Sequence, residues 1–150
     1  MIYILCRPIQ SGKTTSLINW SAKRTDVFGI FTPVVNGKRV FMNAQTKEQF
    51  PMEAEGEEET ISVGRFLFSK KNFEKAVQII RAAISCDGWL VIDEIGPLEL
   101  KGEGFCEITR EVLAQRQENI LLVVREGMAE TIMNYFTFNA KEISRIDEAE

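Results

Sequence analysis

Ile2 to Cys6 is a short, nearly continuous apolar run, and a loop then carries the chain to Ser11-Gly12-Lys13-Thr14-Thr15. An apolar run of that length is the pattern of a strand buried on both faces. The next segment predicts a helix from about Gly12 to Arg24, with Leu17, Ile18 and Ala22 facing inward. A strand that turns directly into a helix brings backbone N–H groups and the positive end of the helix dipole to one point. Such a junction is suited to an anion.

The rest of the chain repeats the alternation. A second strand is expected around Phe28–Val35, and Asn36-Gly37, two residues that tolerate positive φ, predicts a hairpin returning through Arg39–Asn43. Ala44–Thr60 reads as a long polar loop, and Ile61–Phe68 as one strand interrupted at Gly64. Phe73, Ala76, Val77, Ile80, Ala83 and Ile84 fall at helical spacing and form a core-facing stripe. Further elements are a strand at Trp89–Ile92, a helix at Phe105–Gln115 and a strand at Ile120–Val124. A helix around Met128–Tyr135 and a short strand near Phe138–Ile143 follow. Helices alternating with apolar strands imply an α/β sandwich, a mostly parallel sheet covered on both faces, here with a β-hairpin insertion. At 150 residues the expectation is a single domain over residues 1–150.

Composition narrows the function. The net charge of −4, with acids concentrated in Glu53–Glu59, argues against a nucleic-acid partner. The acidic run itself reads as a solvated loop. Cys6, Cys86 and Cys106 are widely spaced, and the chain has no histidine, so neither a zinc site nor a disulfide framework is indicated. No apolar run has membrane-spanning length and the opening lacks a signal-peptide pattern, which together point to the cytoplasm.

Two motifs carry the candidate chemistry. In the first, Gly12 would let the backbone approach a phosphate, Lys13 would reach β- and γ-phosphate oxygens, and the Thr14 hydroxyl would ligate Mg²⁺. In the second, the apolar strand Trp89–Ile92 runs into Asp93-Glu94. Asp93 can hold the Mg²⁺ through water and Glu94 can orient or deprotonate an attacking water, provided both acids turn toward the loop where the strand ends. Either motif alone has a plain alternative, a solvated helix start or an acidic cap. Together, in this chain order, they make a triphosphate site. Arg125, at the end of the next strand, either senses the γ-phosphate or pairs on the surface with Glu126.

The strings "GKTT", "GIFTPVVNGKRV", "VGRF", "LVIDEIGPLEL" and "ILLVVRE", together with Asn139, extend along nearly the whole chain. In these the sequence resembles the small P-loop nucleoside-triphosphatase family that includes the cancer-related nucleoside triphosphatase and its archaeal and bacterial relatives. The resemblance implies a three-layer, RecA-like P-loop fold. It also implies slow, Mg²⁺-dependent hydrolysis of a nucleoside triphosphate, ATP or GTP, with broad base tolerance. The nucleotide loop would be Arg7, Pro8, Ile9, Gln10, Ser11, Gly12, Lys13, Thr14 and Thr15, with Thr14 and Asp93 at the metal. Glu94, Lys13 and Arg125 would form the catalytic set.

The sequence departs from the family pattern where Arg7 and Gln10 replace loop glycines, where Phe41 follows "GKRV" in place of glycine, and where Ala140 replaces an arginine after Asn139. If position 7 needs left-handed backbone, a non-glycine residue costs about 1–2 kcal/mol there. A nucleotide-binding regulatory module with little turnover is therefore the alternative to a hydrolase. A nucleotide or small-molecule kinase is a third reading, for which the chain shows no acceptor domain or arginine-bearing lid.

Overall fold

The computed structural model describes residues 1–7, 13–64 and 66–149, without the side chains of Arg7 and Lys13. The main sheet contains β1 (Ile2–Arg7), β2 (Val27–Phe31), β3 (Val34–Val35), β4 (Lys38–Asn43), β5 (Gln49–Pro51), β8 (Trp89–Ile95), β9 (Ile120–Arg125) and β10 (Lys141–Ile143). Its order is β10-β1-β9-β8-β2-β4-β3, with β5 paired to β4. The strands from β10 to β2 run parallel; β3, β4 and β5 form the antiparallel excursion.

Alternation along the strands builds two cores. Ile4, Ile92, Leu122 and Val124 point to one face, which is covered by α2 (Lys70–Ala83), α4 (Cys106–Gln115) and α5 (Ala129–Phe136). Leu5, Val91, Leu121 and Val123 point to the other, under α1 (Lys13–Ala22) and a short 3-10 helix at Ile146–Ala149. The expected three-layer α/β architecture, with a mostly parallel sheet, is what forms. Phe73, Ala76, Ile80 and Ala83 of the helical stripe are buried, and Val77 and Ile84 are partly so. The Asn36-Gly37 turn has positive φ at both residues, 52° and 77°, and joins β3 to β4 as expected.

The strand expected at Phe28–Val35 forms as two, β2 and β3, and Ala22, expected to face inward, is exposed; two further segments differ more. The polar stretch 44–60 contains β5, which is anchored where Phe50 packs on Phe41 at a ring-centroid distance of 5.3 Å. The segment read as one strand with a break at Gly64 is a hairpin, β6 (Thr60–Val63) against β7 (Phe66–Ser69), forming a second, two-stranded sheet. Gly64, at φ 57°, supplies the left-handed residue of its turn. Glu55, Glu57, Glu58 and Glu59 are exposed, in keeping with a solvated acidic run. Within it Glu58 accepts a hydrogen bond from the Ser69 hydroxyl, and that bond, first among its causes, holds its carboxyl below the ordinary value. Ser69 in turn caps α2 by accepting from the Asn72 amide at 3.2 Å.

Candidate nucleotide site

Parallel pairing puts the C-terminal ends of β1, β9 and β8 side by side, with β9 in the middle. Arg7 is the last residue of β1 and lies in register with Arg125 of β9, while Asp93 of β8 lies in register with Val123. Arg7 thus has extended strand backbone, and the left-handed cost considered for a non-glycine residue there does not arise. Pro8, Ile9, Gln10, Ser11 and Gly12 lie outside the described residues, as do the side chains of Arg7 and Lys13. The backbone of Lys13 opens α1, whose first turn carries no acidic residue to oppose an anion at its positive end.

The two candidate motifs meet directly. Thr14 Oγ1 donates to Asp93 Oδ2 at 2.9 Å across 79 residues of sequence, and the Thr32 amide donates to the same oxygen at 3.1 Å. Asp93 has no solvent exposure, and its Oδ1 has no hydrogen-bond partner among the described residues. Burial pushes the Asp93 carboxyl above its ordinary value, against the pull of the Thr32 amide, and the charge of Glu94 pushes it further. A buried carboxylate with one orphaned oxygen beside a threonine hydroxyl is a donor set suited to a hard cation. Thr15, next to Thr14, is exposed.

The strand does not end before the acids, as the sequence reading assumed. β8 continues to Ile95, with a register irregularity between Asp93 and Ile95. The two acids have different surroundings: Asp93 bonds to Thr14 of α1, while Glu94 lines a cavity shared with Phe73 and Phe105. Arg125 is exposed at the end of β9 and lines that same cavity. The geometry thus brings Thr14, Asp93, Glu94 and Arg125 to one end of the sheet, with a direct hydrogen bond between the first two.

Three contributors escaped the sequence reading. Thr32 acts through its backbone amide, which no side-chain pattern reveals. Arg39 donates to the Thr32 carbonyl at 2.8 Å, bracing the segment that holds Asp93. Glu99, 3% exposed, accepts from the Gly96 amide at 2.7 Å and the Phe105 amide at 3.0 Å, fixing the turn after β8 and the short helix α3 (Pro97–Leu100). The Gly-Pro-x-Glu spacing, with proline at the first helical position and glutamate at the third, is the signal that could have found it. Glu99→Ala strands two amides and is expected to cost about 2–4 kcal/mol in chemical denaturation. Burial, its leading cause, raises the Glu99 carboxyl above the ordinary 4.5, so folding gains protons there. That stabilising contribution is full below the unfolded value and is lost as pH rises through the folded one, so the Glu99→Ala penalty should be larger near about pH 4 than about pH 8.

A parallel sheet with a helix opening at the C-terminal end of β1, a threonine–carboxylate pair and a second acid beside it defines a nucleotide-binding α/β domain of the P-loop class. The sequence model of the NTPase family matches residues 2–148, and the chain belongs to that family. No curated protein sequence matches the chain. Among solved structures, the fold is similar to the crystal structure of THEP1 from the hyperthermophile Aquifex aeolicus. The TM-score is 0.74 at 19% identity, covering 100% of this chain and 92% of that one. It is also similar to the solution structure of a human cancer-related nucleoside triphosphatase, with a TM-score of 0.64 at 23% identity, covering 97% and 89%.

Proposed function

We propose that the protein is a Mg²⁺-dependent nucleoside triphosphatase that converts NTP to NDP and phosphate, slowly and with broad base tolerance. The observation that carries this is the Thr14–Asp93 hydrogen bond, which locks the start of α1 onto the acidic strand. The name of the human relative, a nucleoside triphosphatase, supports the same reading. Thr14 and Asp93 would hold Mg²⁺, which supplies charge neutralisation at the β- and γ-phosphate oxygens. The amides at the start of α1 and the Lys13 ammonium bind the phosphate chain. Glu94 orients the attacking water and takes its proton, and Arg125 offsets charge developing on the γ-phosphate.

Phosphate release measured over a Mg²⁺ titration tests this. Asp93→Asn keeps the shape and removes the charge. It should lower turnover by about 10²-fold or more and shift half-maximal turnover to higher Mg²⁺. Unchanged turnover and unchanged Mg²⁺ dependence in Asp93→Asn would contradict the assignment.

A further inference from the structure

The cavity that Glu94 faces is far larger than hydrolysis needs. Its volume is about 490 Å³, whereas one water needs about 30 Å³ and small-molecule sites run to several hundred. Its walls are aromatic: Phe66, Phe68, Phe73 and Phe105 line it, with Phe68 and Phe105 each packed against Phe73 at centroid distances of 5.8 and 5.4 Å. Three charged residues, Arg39, Glu94 and Arg125, also line it. The β6–β7 hairpin supplies one side through Val63, Gly64, Phe66 and Phe68. The arginines that a phosphoryl-transfer enzyme requires, not apparent in the sequence as a lid, are thus present around a preformed space.

The position of the cavity sets what it can hold. Displacement at the γ-phosphate is in line, so the nucleophile enters from the side opposite the departing NDP. Asp93 faces α1, where the phosphate chain binds in the proposed site, and Glu94 faces the cavity. A molecule in the cavity therefore stands on the nucleophile's side, not the base's.

We infer that this cavity is a phosphoryl-acceptor site for a hydroxyl-bearing aromatic molecule of nucleoside size. The inference rests on the nucleotide site proposed above. The aromatic body lies against the phenylalanines, and its hydroxyl points to Glu94. The hydroxyl oxygen bonds to the γ-phosphorus and its proton passes to the Glu94 carboxylate. The bond from the γ-phosphorus to the bridging oxygen breaks, and the electron pair leaves on the β-phosphate of NDP. NTP and alcohol become NDP, a phosphomonoester and a proton; with the cavity filled only by water, hydrolysis results.

Two arms test it on the native protein. In the first, adenosine, guanosine, cytidine, uridine and thymidine are titrated without NTP and binding is read by calorimetry. In the second, γ-labelled ATP or GTP with Mg²⁺ is added to each nucleoside, and label is partitioned between nucleoside monophosphate and free phosphate. At least one nucleoside should bind and take label. Val63→Trp, which fills the cavity from the hairpin, should lower the ratio of labelled nucleoside to free phosphate by about ten- to a hundredfold. Ser62→Trp, on the exposed alternate position of the same strand, should leave that ratio unchanged. Labelled phosphate with no nucleoside binding overturns the assignment, and so does binding without transfer of label. Failure of the nucleotide reading looks different: NTP is neither bound nor consumed even without nucleoside, and the calorimetric arm then judges the cavity alone, absence of binding overturning it.

Discussion

Glu94→Gln should reduce the rate of phosphate release by about 10²–10⁴-fold while leaving NTP binding close to that of the native protein. The glutamine keeps the length and polarity of the side chain but cannot take a proton. Asp93, Thr14 and Thr32 form a separate hydrogen-bonded unit on the α1 side of the strand, so the substitution leaves the binding side intact. The measurement is single-turnover phosphate release with binding followed on the same samples. A release rate within a few-fold of native would remove Glu94 from the chemistry, and a parallel loss of binding would make it a ligand for the nucleotide.

Gly29→Ala should be among the most damaging single changes to the fold. Gly29 sits within β2 at φ 110°, in register with Val91 of β8. A Cβ there would fall on the Val91 carbonyl oxygen and close to its amide nitrogen, both backbone atoms that cannot swing away. Left-handed strain and collision together predict a loss of about 2–5 kcal/mol, or roughly 5–20 °C in melting temperature for a domain of this size. Gly56→Ala provides the comparison: φ is 69° but the space around it is open, so only the backbone cost of about 1–2 kcal/mol is expected. Because β2 leads directly into Thr32, the Gly29 variant should also loosen the amide that holds Asp93. Scanning calorimetry of both variants checks the difference; equal melting temperatures would mean that β2 and β8 separate at little cost.

The features legible in the sequence are those in which a local pattern and the tertiary structure agree. The apolar runs at Ile2–Cys6 and Ile120–Val124 are strands because burial on both faces demands continuous apolar residues. Asn36-Gly37 is a turn because both residues accept positive φ. β5 was hidden because Gln49–Pro51 is only three residues long and sits in polar surroundings, and its pairing depends on Phe50 reaching Phe41 in β4. The β6–β7 hairpin was hidden because its two halves are short and nearly adjacent in sequence, and only the turn at Gly64 separates one bent strand from two. At the site, Asp93 and Glu94 were recognisable as a pair, yet where β8 continues to Ile95 they have different surroundings. That division of labour is a property of the irregular backbone at this point of β8 and not of the residue types. Thr32 and Arg39 lie outside any motif, because they act on or through backbone groups.

The most direct test is a single-turnover reaction of the native protein, in excess over γ-labelled ATP or GTP, started with Mg²⁺ and stopped over time. A triphosphatase built on Thr14, Asp93 and Glu94 should release labelled phosphate in one exponential phase and show none when Mg²⁺ is chelated. Nucleotide held tightly through the whole time course with no labelled phosphate formed would contradict hydrolysis and make the site a sensor of nucleotide instead.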